Sequence, residues 1–249
     1  VIALSEQGKL RQYQETIRKI IAAFQGVDFP IVVESTLGVE VEVFDTDDQH
    51  DKALLSDLTI IADTLLNIYF AQPIDRKLYH QITGRQPTNF RPNEVGIALE
   101  CVFPEQAMKM VTNKQIRSIR SVRHLKAHGY PDAEITDIWN RITYMEIKAT
   151  TRPDIGSARD FFFTPLSATS RKVTKSARHL LLGFILEEEI EAHCFRTVGW
   201  KLVDLSRIKL SLKPEFNANN LEIYKQEAIL CERNLRRAEK SIQVNCNEA

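Results

Sequence analysis

The sequence predicts an α/β or α+β fold, and three features of its patterning predict it. Helical periodicity dominates the first hundred residues, strand-like alternation appears in the middle, and a helical pattern returns near the end. With 249 residues, 43% of them hydrophobic, the chain is long enough to close one sizeable core. Sparse Gly and Pro, with no internal repeat, argue against long linkers.

Residues 8–24 carry Leu10, Tyr13, Ile17, Ile20, Ile21 and Phe24 at helical spacing, closed by Gly26 and Pro30. Residues 31–44 are Val-rich and alternate in part, which predicts a strand pair around Gly38. Asp51 to Phe70 is a strong amphipathic helix, with Leu54, Leu55, Leu58, Ile61, Leu65 and Ile68 on one side. Pro73 to Pro92 reads as a connection holding a short helix. Asn93 is placed to cap a helix running to about Val111, with Pro104 a candidate kink.

Arg117, Arg120, Arg123 and Lys126 recur every third residue, which predicts a helix over Asn113 to Lys126. Ala133 to Ile138 and Ile142 to Thr150 read as two strands. Val173 to Leu186 reads as a helix, Ile190 to Leu205 as strand segments turning at Gly199, and Asn217 to Lys240 as a last helix. The expected organisation is a single domain over 1–249: a mainly helical part to residue 92, a core over 93–210, and a C-terminal helix over 211–249.

Composition narrows the classes of function. Net charge is zero, but the distribution is uneven. Gln106 to Pro131 holds six basic residues and no acid, and Phe161 to Leu186 is a second acid-free basic stretch. A neutral protein with such segments still offers a basic surface to phosphates. Cys101, Cys194, Cys231 and Cys246 are widely spaced without a CxxC pair, so reduced thiols in a cytoplasmic protein are expected. Val1-Ile2-Ala3-Leu4 does not read as a signal peptide, and no apolar run reads as long enough to cross a bilayer. Walker, GxGxxG, GxSxG and HExxH motifs are absent, and His124 with His128 lacks a third ligand.

The informative segment is Pro131-Asp132 followed, 14 positions after the aspartate, by Glu146-Ile147-Lys148. On a strand Glu146 and Lys148 share one face, while Met145, Ile147 and Ala149 point into the core. Hairpin pairing would bring Asp132 beside Glu146. Two adjacent carboxylates repel, and hard oxygen ligands of this kind suit Mg²⁺, with the Ile147 carbonyl as a further ligand. The bland alternative is an edge-strand salt bridge on Glu146, worth little.

These residues resemble the PD-(D/E)XK nuclease superfamily, and the resemblance spans about Asn93 to Leu205. It implies a central mixed β-sheet flanked by helices, a restriction-endonuclease-like core, and Mg²⁺-dependent cleavage of phosphodiesters. Asp132, Glu146 and Lys148 would be catalytic, with Asp132, Glu146 and Ile147 holding metal. Members often carry an acid on a preceding helix, which implies Glu100, or alternatively Glu94. Lys148 would position or activate the water that attacks phosphorus, leaving 5′-phosphate and 3′-hydroxyl ends. Arg152, Ser157, Arg159, Arg171, Lys172 and Lys175, in a hydroxyl- and base-rich stretch, are the candidate DNA contacts, together with Arg120 and Arg123. The segment Ala168 to Leu186, with His179, looks like the helix that follows the catalytic strand.

The reading that follows is a homodimeric type II restriction enzyme acting on double-stranded DNA, with no membrane partner. A repair or junction-resolving nuclease on the same core, an inert DNA-binding protein, and an unrelated α/β binding module with an accidental motif stay open at this point.

Overall fold

The computed structural model describes residues 6–125, 129–151, 163 and 172–211. The chain divides into two compact units, one of residues 1–21 with 212–249 and one of residues 22–211. In the first, α1 (Glu6–Ala23) is amphipathic and carries a Glu15–Lys19 ion pair one turn apart at 2.7 Å. The predicted helix over Asn217 to Lys240 lies outside the described residues, as do Arg152, Ser157, Arg159 and Arg171.

The second unit contains β1 (Val27–Asp28), α2 (Phe29–Leu37), β2 (Val41–Glu42), α3 (Gln49–Ala71), α4 (Arg76–Thr83) and α5 (Pro92–Thr112). These are followed by β3 (Ile119–His124), β4 (Ala133–Asp137), β5 (Ile142–Thr150), β6 (Ala177–Glu189), β7 (Cys194–Asp204) and β8 (Lys209–Leu210). Six strands form a mixed sheet in the order β2-β6-β5-β4-β3, with β7 on β6. β5 and β2 run parallel to β6, and the β3–β4, β4–β5 and β6–β7 pairs are antiparallel. A small β1–β8 pair stands apart.

Helices cover both faces. On one side Leu54, Leu58, Ile61 and Leu65 of α3 and Val95, Leu99 and Phe103 of α5 bury Ile135, Met145, Ile147, Leu180 and Leu182 of the sheet. On the other, Phe29 and Val33 of α2 pack with Tyr130, Tyr144, Val173 and Ala177. By length and mean hydropathy α3 could cross a bilayer, contrary to the expectation that no segment could. Its length is that of a core helix, because its apolar side is buried in this cluster.

Five readings of the sequence need correction. Residues 29–37 form a helix, not half of a strand pair. Pro30 fits its first turn, and Gly38 closes it at φ 67°, donating its N–H to Glu34 O at 2.9 Å. Only Val41–Glu42 is strand there. Residues 119–124 are strand, not helix. Asp57 accepts bonds from Arg117 N–H, Ser118 N–H and the Ser118 hydroxyl, pinning the chain as it enters β3. An irregularity between Ile119 and Ser121 then makes Arg120 an extra residue, so buried Ile119 and Val122 stand three apart and mimic helical spacing.

Residues 177–189 are also strand. β6 lies between β5 and β7 with a core on each face, so its apolar residues run on without alternation. Gly199 is no turn but a strand position facing Ile185, whose Cδ1 would lie 3.4 Å from an added Cβ. The chain turns instead at 190–193, where His193 has φ 48°. At α5, Arg91 rather than Asn93 is the N-cap, and Pro104 sits inside a helix that continues to Thr112.

Candidate active site

The site forms where β4 parts from β5. Pairing between them begins at Ala133–Met145, and Asp132 N–H donates to Met145 O at 3.0 Å. β5 runs on beside β6 through Thr150. Beyond Met145 the β4-side edge of β5 has lost its partner strand. The Asp132 carboxylate takes the vacated bond, accepting Ile147 N–H at 2.8 Å. N–H and C=O of one strand residue point the same way, so the Ile147 carbonyl turns to this edge too. The Asp132 carbonyl accepts Leu125 N–H at 2.7 Å, fixing the residue from the β3 side as well.

Glu146 and Lys148 lie on one face of β5. The Lys148 ammonium is ion-paired to Glu146 Oε1. Glu146 is 3% exposed, and its Oε2 is buried without a hydrogen-bond partner. Burial pushes the Glu146 carboxyl up to about 7, with the Asp132 charge adding and Lys148 opposing. Burial also raises Asp132, against the opposing effects of the Ile147 N–H and Lys148. The cost of burying Lys148 would lower its pKa, but Glu146, Asp132 and Glu100 outweigh it and hold the ammonium charged.

Glu100 arrives from α5. Gly96, one turn earlier, packs against Ala149 of β5, where an added Cβ would lie 3.7 Å from the Ala149 Cβ, an ordinary contact. Burial raises the Glu100 carboxyl to about 8, helped by the charges of Asp132 and Glu146. Glu94 is engaged elsewhere. Its Oε2 accepts Arg91 N–H at 3.0 Å, an N-terminal cap of α5. Glu94→Ala is therefore expected to cost about 1 kcal/mol in chemical denaturation and to leave DNA cleavage at the wild-type rate. Glu100→Gln should lower cleavage.

The remaining candidates are scattered. Lys172 donates to the Gly129 and Pro131 carbonyls, the latter at 2.7 Å. Lys175 is exposed on the approach to β6. Arg123 pairs with Glu134 at 3.1 Å, and Arg120 bonds Asn140 and, at 2.8 Å, Ile138 O. Both project from exposed positions of β3.

Residue pattern alone did not point to Tyr130 and His179 as neighbours of the site. Tyr130 adjoins Pro131-Asp132 and shares a hydrogen bond with His179 Nδ1 in the core beside Tyr144. Burial lowers His179 to about 4, so the ring is neutral. An aromatic residue directly before the motif, and a lone histidine in an apolar run, were the available hints.

Residues 22–227 match the model of the type II restriction enzyme MjaV family. The chain belongs to that family. The match takes in the whole sheet and every residue of the site just described. The type II restriction enzyme MjaV of Methanocaldococcus jannaschii is 26% identical over 246 residues, covering 94% of this chain and 100% of that protein. This member of the MjaV family is thus a site-specific DNA endonuclease, a hydrolase of phosphodiesters. Its mixed sheet flanked by helices is the restriction-endonuclease-like core that the motif implied.

Proposed function

We propose that this enzyme cuts both strands of double-stranded DNA with Mg²⁺ held by Asp132 and Glu146 and with Lys148 as the catalytic cation. The observation that carries the reading is the meeting of two carboxylates and a lysine on one sheet face, where β4 leaves β5.

The donor set fits a magnesium ion. Among the described residues no group of three or more His, Cys, Asp or Glu forms a ligand cluster. Mg²⁺ does not require one, since it commonly uses one or two carboxylates and keeps several waters. Glu146 Oε2 is a buried oxygen with no partner. Burial raises both the Glu146 and the Asp132 carboxyls, and a cation between them would favour their charged forms. The Ile147 carbonyl lies on the same edge. When bound, the ion supplies Lewis-acid charge at the scissile phosphate.

The chain's own groups do the rest. Lys148 sets a positive charge beside the phosphate, where negative charge develops. Asp132 is held rigid by three bonds from and to three different neighbours, so its carboxylate presents a fixed oxygen. Glu100, raised to about 8, holds a proton near neutral pH. Lys175, Arg120 and Arg123, with Arg152, Ser157, Arg159 and Arg171, would contact phosphates or base edges. A cytoplasmic homodimer would place two such sites across a two-fold DNA sequence, and light scattering in solution tests that stoichiometry.

The direct test is incubation with phage-sized double-stranded DNA. Discrete fragments in Mg²⁺ and none in EDTA are expected. Fragments of equal yield in EDTA would sink the reading.

The raised carboxyls also predict a pH dependence. Their folded pKa values exceed the ordinary 4.5, so their contribution to stability is complete below pH 4.5. It is lost as pH rises through about 7 for Glu146 and about 8 for Glu100. Metal-free protein should therefore lose thermal stability over that window. Mg²⁺ should restore more of it at pH 8 than at pH 6, because its ligands must shed their protons. Melting curves in EDTA and in Mg²⁺ check this, and a larger Mg²⁺ increment at pH 6 would contradict it.

A further inference from the structure

We propose that Lys172 is a positioning residue for the Asp132 carboxylate and not a contact to DNA. The proposal rests on the reading of Asp132 and Glu146 as the cation site. It departs from the expectation, natural for a lysine in a basic stretch, that the side chain meets phosphate.

The observation is where the ammonium goes. Lys172 lies just ahead of β6, and its Nζ donates to two main-chain carbonyls, Gly129 O and Pro131 O. Those residues flank Tyr130 and lead straight into Asp132. An ammonium has three donors, and two are committed to this turn. The turn needs them. The β4 ladder begins at Ala133, and Asp132 makes the last main-chain bonds to either neighbour. Pro131 has no N–H, and it is buried. Its carbonyl lies ahead of the ladder bonds that later residues enjoy, and a buried carbonyl without a donor is costly.

The turn is thereby held from two sides. The Tyr130 ring goes inward, edge-on to Phe29 at 6.0 Å and stacked on His179 at 5.9 Å. Lys172 binds the carbonyls that precede and follow Tyr130. Its charge also acts on Asp132, Glu146 and Glu100, opposing their mutual repulsion while no cation is bound. A shift of the turn would move the Asp132 carboxylate off Ile147 N–H and out of register with Glu146. Supporting contacts of this kind are worth about tenfold or more in metal affinity.

The test compares full-length wild type, Lys172→Met, Lys172→Arg and Asp132→Asn. Calorimetric titration with MgCl₂ alone reads cation affinity. DNA binding in EDTA across a salt series reads phosphate contacts. Steady-state cleavage separates kcat from KM. Lys172→Met is expected to bind Mg²⁺ about tenfold more weakly, to lose kcat with KM little changed, and to keep the wild-type salt dependence. Lys172→Arg, which keeps the charge and donors, should recover part of the Mg²⁺ affinity. Wild-type Mg²⁺ affinity in Lys172→Met, with a salt slope shallower by about 0.9, would make Lys172 a phosphate contact and overturn the proposal. If Lys172→Met does not fold, Lys172→Gln carries the same comparison. Asp132→Asn separates the two levels: unchanged Mg²⁺ affinity there would remove the cation site itself, whereas its loss there beside a normal Lys172→Met would remove only the role of Lys172.

Discussion

Lys148→Ala should lower kcat for DNA cleavage by about 10²–10³-fold, the usual cost of removing one group that stabilises transition-state charge. KM for DNA should change little, since the loss falls on the transition state. Two effects add. The cation proposed to sit beside the scissile phosphate disappears, and Glu146 loses the ion pair that restrains its carboxyl. Without Lys148 the Glu146 pKa climbs further above about 7, so less of it is ionised at neutral pH. The deficit should therefore be smaller at pH 9 than at pH 7. Steady-state rates at both pH values read this directly, and a pH-independent deficit would mean that Lys148 acts on the phosphate alone.

Asp51→Ala should destabilise the fold by about 3–5 kcal/mol, the range for breaking a buried ion pair from one side. Asp51 is 1% exposed at the start of α3 and accepts Arg178 Nε at 2.9 Å, Arg141 Nη1 at 2.9 Å and Asp45 N–H at 2.9 Å. Arg141 also bonds Asp137 Oδ2 at 2.6 Å, and Arg178 reaches Glu42 at 2.8 Å. One carboxylate thus ties α3 to β6 and to the β4–β5 turn. Its removal leaves two guanidinium groups short of charge, one of them with an Nη2 already buried without a partner. Urea unfolding with the midpoint followed by fluorescence measures the loss. A change under about 1 kcal/mol would show that the remaining acids suffice.

What was legible in the sequence followed physical simplicity. In β5 the run Met145 to Ala149 alternates apolar with charged residues, so Glu146 and Lys148 could be placed on one side. α3 and α5 each bury one stripe, so their period was plain too. The misread elements break those rules. β6 buries Leu180 and Leu182 against α3 and α5 and Ala177 against α2, which erases alternation. In β3 an extra residue at Arg120 imposes a three-residue spacing on a strand. Residues 29–37 hold β-branched Ile31, Val32 and Val33, yet a proline start, a glycine stop and the packing of Phe29 and Val33 make them helical. For the candidate site, residue types and spacing pointed to Asp132 and Glu146, which the sheet brings together, but spacing could not separate Glu100 from Glu94. That needed the hydrogen bond from Arg91 N–H. Nor could it show that Lys172 turns back onto the chain.

The most direct test of the site is cleavage by Asp132→Asn beside wild type, in Mg²⁺, with DNA binding followed in parallel in Ca²⁺. Asp132→Asn keeps the shape of the side chain that accepts Ile147 N–H but removes the charge proposed to hold a cation. DNA bound as tightly as by wild type, with no fragments formed, is the predicted result. The wild-type fragment pattern at the wild-type rate would place the chemistry somewhere other than the meeting of β4 and β5.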